Sequence, residues 1–266
     1  MNSIVRMLTL IACLSISLHA FPHGQATYLG NSAVVVESDN VKVMFDPFFH
    51  NGFGIYQLVP NELRDNVMKG ISPFNDIDAI FISHAHEDHF SAEDVVSYLN
   101  HHQQTHLFAP KQAIQQLAEL TVDSSISSRI HSIDLQIGDT PVNLTHKDLQ
   151  VDAIRIPHAG WPRRKEVENL IFRVTLEKDI TTMHMGDADA DDDHYLPYTS
   201  YWQAKTTNIN FPPYWFFMSA EGNDILQELL NVEQHIGVHV PMKAPKQLQN
   251  TGKQYFHQPG SHVEIE

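Results

Sequence analysis

His84-Ala85-His86-Glu87-Asp88-His89 places four ligand-type side chains, those of His84, His86, Asp88 and His89, within six residues. The run Ala79-Ile80-Phe81-Ile82 just before it is short and apolar, as a buried strand requires. Ser91 just after it, with Asp94 three residues on, has the spacing of a helix N-cap, and Val95, Val96 and Leu99 follow on one face. A strand before and a helix after make the segment a sharp loop. Ligands on a loop need not share one face, so these can divide between two neighbouring metal ions. Imidazole and carboxylate both suit zinc and related borderline ions. The chain has 18 histidines, so a single one carries little weight. The spacing of the group carries the signal.

The rest of the chain alternates strands and helices, with no internal repeat or low-complexity linker. Ala26 to Val36 and Val41 to Phe45 read as strands joined by the turn Ser38-Asp39-Asn40, and Asn51 to Asn75, with Pro60, Gly70 and Pro73, reads as loop. Pro110 opens a helix carrying Ile114, Leu117 and Leu120. Ile130 to Leu135, Val142 to Leu144, Leu149 to Ile156, Asn169 to Leu176, Thr181 to Met185 and Asn208 to Phe211 read as strands. Asn223 to Leu230 reads as a helix and His235 to Val240 as a last buried strand. Strands in two runs, each with its helices, predict an α/β chain folded as a layered αββα sandwich.

The hexapeptide resembles the His-x-His-x-Asp-His signature of the metallo-β-lactamase fold superfamily, a four-layer αββα sandwich. The later signatures of that superfamily find counterparts in order: His158 in Ile156-Pro157-His158, Asp187 in Met185-Gly186-Asp187, His239 in Gly237-Val238-His239 and, earlier, Asp46 in Phe45-Asp46-Pro47. Gly30-Asn31-Ser32, Asp46-Pro47 and Gly186-Asp187-Ala188-Asp189 look most like the branch of ascorbate-6-phosphate lactonase and the N-acylphosphatidylethanolamine phospholipase. Phe90-Ser91 departs from the small or Gly-rich step of the thiolesterase and acyl-homoserine-lactonase branches, and no cysteine stands at the thiolate position of several true β-lactamases.

The resemblance implies two divalent metal ions, zinc first, with manganese or iron as alternatives. One is held by His84, His86 and His158, the other by Asp88, His89 and His239, with Asp187 bridging. Such a pair lowers the pKa of bound water and polarises the scissile group. Asp88 is then a candidate to orient the nucleophile or shuttle a proton. Asp46 and His184 would steer the ligand imidazoles.

Three further motifs stand near these residues. Trp161-Pro162-Arg163-Arg164-Lys165 puts cations close to His158, and Arg163 and Arg164 are candidate handles for an anionic substrate. In Phe211-Pro212-Pro213-Tyr214-Trp215-Phe216-Phe217, Tyr214 and Trp215 are candidates for the pocket mouth, and Phe216 and Phe217 for the core. Asp187, Asp189, Asp191, Asp192 and Asp193 lack the glycine and distal glutamate of a calcium loop and read as a solvated loop around one ligand, Asp187. His101, His102 and His106 read as solvated.

Hydrophobic residues make up 42% of the 266-residue chain and charged residues 18%, as in a globular protein with ample core. The formal charge of -15 repels a polyanion, which argues against nucleic acid as a partner. Arg6, the apolar run Met7 to Leu18 and His19-Ala20 have the form of a signal peptide, too short for a comfortable membrane span. Residues 1–20 are therefore read as a leader and 21–266 as one hydrolase domain, exported to the periplasm or secreted, with cleavage after Ser17 as an alternative. Leu10-Ile11-Ala12-Cys13 resembles a lipidation box, so an anchor at Cys13 is the second reading. Cys13 is the chain's one cysteine, and removal of the leader leaves neither disulfide nor thiolate ligand.

The leading expectation is a metal-dependent hydrolase acting with an activated water on a small ester, lactone or phosphodiester. The alternatives are a non-catalytic periplasmic metal-binding or sensing protein of the same fold, and a β-lactam hydrolase.

Overall fold

The structure, a computed structural model, describes residues 24–120, 124–177 and 180–265. The expected leader, with Cys13, lies outside these residues. Among the described residues thirteen strands form two sheets. The first contains β1 (Gly24–Gly30), β2 (Ala33–Ser38), β3 (Val41–Phe45), β4 (Ala79–Phe81), β5 (His106–Pro110) and β6 (Ile130–Ile133) in sequence order, with β13 (His262–Ile265) outside β1. The second runs from β7 (Val142–His146) through β8 (Leu149–Arg155), β9 (Leu170–Leu176), β10 (Ile180–His184) and β11 (Thr207–Phe211) to β12 (Val232–His235). Strands β6 and β7 are thus edges of different sheets.

Alternation along the strands sorts side chains into layers, because neighbours on a strand face opposite ways. Val34, Val43, Phe45 and Phe81 point into the core between the sheets, where Ala153, Phe172 and Val174 meet them. Val35, Met44, Ile80 and Ile82 point outward, under the helices α1 (Asn61–Lys69), α2 (Ala92–His101) and α3 (Lys111–Ala118). On the far side Ile154, Ile171 and Met183 pack against Trp202, Phe216, Phe217 and Ile225. Helices on two sheets in four layers are the predicted αββα sandwich.

The local readings hold in part. The Ser91 hydroxyl accepts the Asp94 amide and starts α2 as expected. The span Ala26 to Val36 is a hairpin and not a single strand: Gly30 and Asn31, at φ 156° and 44°, turn the chain between β1 and β2. The stretch Asn51 to Asn75 contains α1, which the loop reading omitted. Pro60 stands at its N-cap, and Gly70, left-handed at φ 61°, ends it by donating to the Val67 carbonyl, so both breakers act here as boundary residues. The last predicted strand is displaced: the ladder covers Val232–His235, and only isolated bridges at Gly237 and Val238 carry the chain on to His239. Pairing to β11 stops there, and so does the ladder.

His235 carries a pH effect. Its Nε2 lies 3.0 Å from the Leu226 carbonyl and its Nδ1 3.2 Å from the Asn210 amide, and burial pushes its pKa down to about 4. The folded protein then binds fewer protons than the unfolded chain, whose histidine titrates near 6.5. The stabilisation is complete above about pH 6.5 and is lost as the pH falls towards 4. The expected loss is about 2–3 kcal/mol at roughly 1.4 kcal/mol per pKa unit. Urea unfolding at pH 7.5 and 4.5 checks it: His235→Gln should lose less stability over that interval than the parent, and equal losses would rule the effect out.

Candidate metal centre

Loops that follow strands bring the predicted ligands together. His84 and His86 follow β4, His158 follows β8 and Asp187 follows β10. One nitrogen each of His84, His86 and His158 lies within 4.8 Å of the others. The donor atoms of Asp88, His89 and His239 form a second such group. Asp187 stands between the two: its Oδ2 is 3.3 Å from His158 Nε2 and 4.0 Å from His84 Nε2, and its Oδ1 is 3.1 Å from His89 Nε2 and 3.2 Å from His239 Nε2. Asp88 Oδ2 lies 3.2 Å from His239 Nε2.

These contacts do not satisfy the groups. The Nε2 atoms of His84, His89 and His158 and Asp187 Oδ1 are buried without a hydrogen bond of acceptable geometry. Unpaired buried polar atoms are costly, and several converging on one point fit a cation. The protonation states of His84, His86, Asp187 and Asp88 suit ligation, and His89 is the exception. Burial, reinforced by neighbouring imidazoles, pushes His84 and His86 down, keeping them neutral. Burial would raise Asp187, but His239 and His89 hold it well below the usual carboxylate range, and the His239 hydrogen bond likewise outweighs burial at Asp88. For His89 burial works downward, yet Asp187 and Asp46 hold it well above its ordinary value.

The remote ring nitrogens explain how the lone pairs are aimed. Asp46 Oδ2 lies 2.8 Å from His89 Nδ1 and accepts the Ser83 hydroxyl at 2.6 Å, while Oδ1 accepts the Ser83 amide at 2.7 Å. Ser83 Oγ in turn lies 2.9 Å from His84 Nδ1. With the serine proton committed to Asp46, Ser83 Oγ accepts from His84. One buried carboxylate thereby holds Nδ1–H on two ligand rings and turns both Nε2 atoms towards the centre, a common arrangement behind metal-bound histidine. His158 Nδ1 donates to the Ala159 carbonyl at 2.8 Å with the same result. His184 acts one step further out: Nε2 donates to the Ser32 carbonyl at 2.8 Å and Nδ1 accepts the Gly186 amide at 3.2 Å, which fixes the turn carrying Asp187.

Sequence reasoning missed three positioning residues. Ser83 is the relay just described. Asn169 Oδ1 accepts the Asp187 amide at 2.9 Å and its Nδ2 donates to the Met185 carbonyl at 3.2 Å. It packs so closely on Gly186, at φ 56°, that a Cβ there would lie 2.4 Å from Oδ1. Asn31 donates to the Asp88 carbonyl at 2.9 Å and accepts the His239 amide at 2.9 Å, joining two ligand loops. A Gly-Asp pair signals Asp187 in sequence; no local pattern signals its Asn169 partner.

The cleft over the centre has a volume of about 740 Å³, and its walls include Phe53, Tyr56, His86, Asp88, Arg164 and His239. Tyr56 stands edge-on to His239 with ring centres 4.0 Å apart, a neighbour the sequence did not suggest. Among the substrate candidates, Arg164 lines the cleft, with Nη1 3.5 Å from His158 Nδ1. Arg163 is exposed and outside the lining. Tyr214 and Trp215 stand behind the wall: Trp215 lies 5.4 Å from the His239 ring and donates to the Ala188 carbonyl, and Tyr214 packs against it. Phe216 and Phe217 are buried as expected. In the acidic run, Asp189 Oδ2 accepts the Gly160 amide at 3.0 Å and so ties down the loop that carries Arg164.

Two packed sheets with a histidine–aspartate centre on the loops after their strands define a metallo-β-lactamase-type sandwich. The chain belongs to the family described as the beta-lactamase superfamily domain, whose model matches residues 25–198, so His239 lies beyond the matched segment. A search of curated proteins gives no match. Among solved structures it is similar to Igni18, a metallo hydrolase of Ignicoccus hospitalis, at 19% identity and TM-score 0.58, covering 91% of this chain and 98% of that one. It is also similar to a possible metal-dependent hydrolase of Veillonella parvula, at 12% identity and TM-score 0.59, covering 91% and 99%. A diphosphatase of the PhnP family aligns at 14% identity and TM-score 0.55, covering 91% and 98%. At these identities the likeness is one of fold. Among the described residues no helix is long and apolar enough to cross a membrane.

Proposed function

We propose that the chain is a hydrolase with a dinuclear centre, acting on a small anionic ester, lactone or phosphodiester. The observation that carries this reading is Asp187, whose two oxygens face two different donor sets, His84 with His158 and His89 with His239. His84, His86 and His158 would hold one ion and Asp88, His89 and His239 the other, zinc being the ion that best suits imidazole with carboxylate. Bound there, the ions supply an activated water and polarise the bond to be cleaved. Asp88, which the His239 hydrogen bond keeps ionised despite burial, would orient an attacking water by accepting a hydrogen bond from it. Asp46, Ser83 and Asn169 keep the ligands in register.

The substrate class rests on the cleft and on the sequence texture. Arg164 is the sole Arg or Lys among the described residues lining the cleft, whose acidic residues are Glu87, Asp88, Glu166 and Asp187 and whose remaining wall is largely apolar, with Phe53, Ile55 and Phe90. It can pair with a phosphate or carboxylate beside the reacting bond. The resemblance to the lactonase and phospholipase branch points to ester and phosphodiester chemistry, and the diphosphatase among the structural neighbours adds a phosphorus precedent on the same scaffold. Residues 1–20 are proposed as an export leader, so the protein would work outside the cytoplasm on a diffusible substrate.

The test is a panel of esters, lactones, phosphodiesters and nitrocefin, assayed before chelation, after it and after zinc, manganese or iron is restored. Turnover of a member of the first three classes that vanishes with the metal and returns with it is expected. A metal-replete protein inert on the whole panel would favour a binding or sensing role, and turnover of nitrocefin alone a β-lactam hydrolase. With a substrate in hand, Arg164→Met should raise KM for anionic substrates roughly 10- to 100-fold, the equivalent of about 1.5–3 kcal/mol for a charged hydrogen bond. Neutral esters should be little affected; an equal change for both would remove Arg164 from substrate recognition.

A further inference from the structure

Away from the cleft, His106, His131 and His146 each present one nitrogen, and these three lie within 4.8 Å of one another. They come from three strands and from both sheets: His106 opens β5, His131 lies on the edge strand β6, and His146 ends β7, the facing edge strand of the other sheet. The register explains the meeting. His131 pairs with Phe108, a residue of the core between the sheets, and His106 lies two positions from Phe108, on the same face. On β7, Val142 and Leu144 pack against that core, and His146 continues their face. The three rings therefore close the open end of the sandwich, where the sheets are not joined by a strand pair. They are half-buried, which corrects the reading of His106 as solvated.

The packing is tight and incompletely satisfied. His106 Nδ1 and His131 Nε2 are 3.0 Å apart, and the rings of His106 and His146 have centres separated by 3.9 Å. Phe108 stacks on His131 at 4.3 Å and holds it in place. Buried His146 Nε2 has no hydrogen-bond partner among the described residues. A shared proton between His106 and His131 satisfies that pair and leaves His146 Nε2 unexplained. We propose that His106, His131 and His146 form a second metal site, separate from the hydrolase centre, which takes a zinc-class divalent ion and ties the two sheets together at their open edge. Three imidazoles around a zinc ion with bonds of about 2.0–2.1 Å have nitrogens roughly 3.3 Å apart, against 3.0 Å for the His106–His131 pair and at most 4.8 Å for the pairs with His146, with a fourth position left to water. Ligation needs neutral rings: burial with the neighbouring histidines pushes His106 down to about 4 and lowers His131, and burial with Lys147 lowers His146. Of the nearby charges, Lys147, which is exposed, opposes a cation at both His146 and His106 and outweighs the favourable Asp78 at His146, and Arg129 opposes it at His106.

The test uses the purified protein, its His146→Gln variant and zinc as the probe. After equilibration with micromolar zinc and removal of the excess, the parent should hold one zinc per chain more than the variant, and zinc should raise the parent's Tm more than the variant's. Hydrolase turnover should be the same in both. Equal zinc content in the two proteins would overturn the proposal. Should the variant fail to fold, anomalous scattering at the zinc edge from crystals of the parent decides: a peak among the three imidazoles sustains the site, and density at Asp187 with none at His146 refutes it.

Discussion

Asp187→Ala is expected to lower turnover by at least ~10³-fold, the scale set by the several kcal/mol of charge stabilisation a metal centre provides. The effect exceeds that of any single histidine because Asp187 serves both donor sets: Oδ2 faces His84 and His158, and Oδ1 faces His89 and His239. Removing it withdraws the one negative group shared by the two sets and leaves His89, raised by that carboxylate, without its main neighbour. The variant should also retain fewer metal ions than the parent after dialysis. The fold should persist, since the Asp187 amide still reaches Asn169 and the backbone turn is unchanged. Steady-state kinetics, metal analysis and circular dichroism together check the prediction. Full turnover in a variant depleted of metal would show that the chemistry lies elsewhere.

Asp46→Asn comes second in size and acts without touching substrate. Asp46 Oδ2 accepts from both Ser83 Oγ and His89 Nδ1, so one carboxylate fixes the tautomers of His84 and His89, which belong to different donor sets. An amide can retain the Ser83 amide bond through its oxygen, but its nitrogen donates and can accept neither the Ser83 hydroxyl proton nor the His89 Nδ1 proton. Partners of this kind are worth roughly 10- to 100-fold in metal affinity or activity. The expected signature is a fall in kcat that excess metal partly restores, with KM little changed. An unchanged metal affinity would reduce Asp46 to a structural role for the strand end. Asp46 sits at φ 45° directly after β3, so circular dichroism belongs with the kinetics.

Much of the site was legible because its signals are local. A hexapeptide after an apolar strand gave four donors, and single residues after later strands gave His158, Asp187 and His239 in order. The order of elements, strands in two runs each with its helices, likewise gave the layers. What escaped depends on contacts distant in sequence. Asn169 reaches Asp187 across 18 residues and has no pattern of its own, while Asn31 stood in the Gly30-Asn31-Ser32 motif without its reach to Asp88 across 57 residues being visible there. The three-histidine cluster needs the register of β5 on β6 and the approach of the second sheet's edge before it exists. Helix α1 was hidden by Pro60 and Gly70, read as loop formers when they were its two ends. Substrate residues were the least legible: of two adjacent arginines only Arg164 lines the cleft, and loop geometry alone decides between them.

Anomalous scattering from crystals of the protein as purified, with the element fixed by X-ray fluorescence, tests the central claim most directly. Two peaks are predicted on either side of Asp187, one bounded by His84, His86 and His158 and the other by Asp88, His89 and His239. A single ion, or none, at Asp187 in protein that is active without added metal would contradict the account.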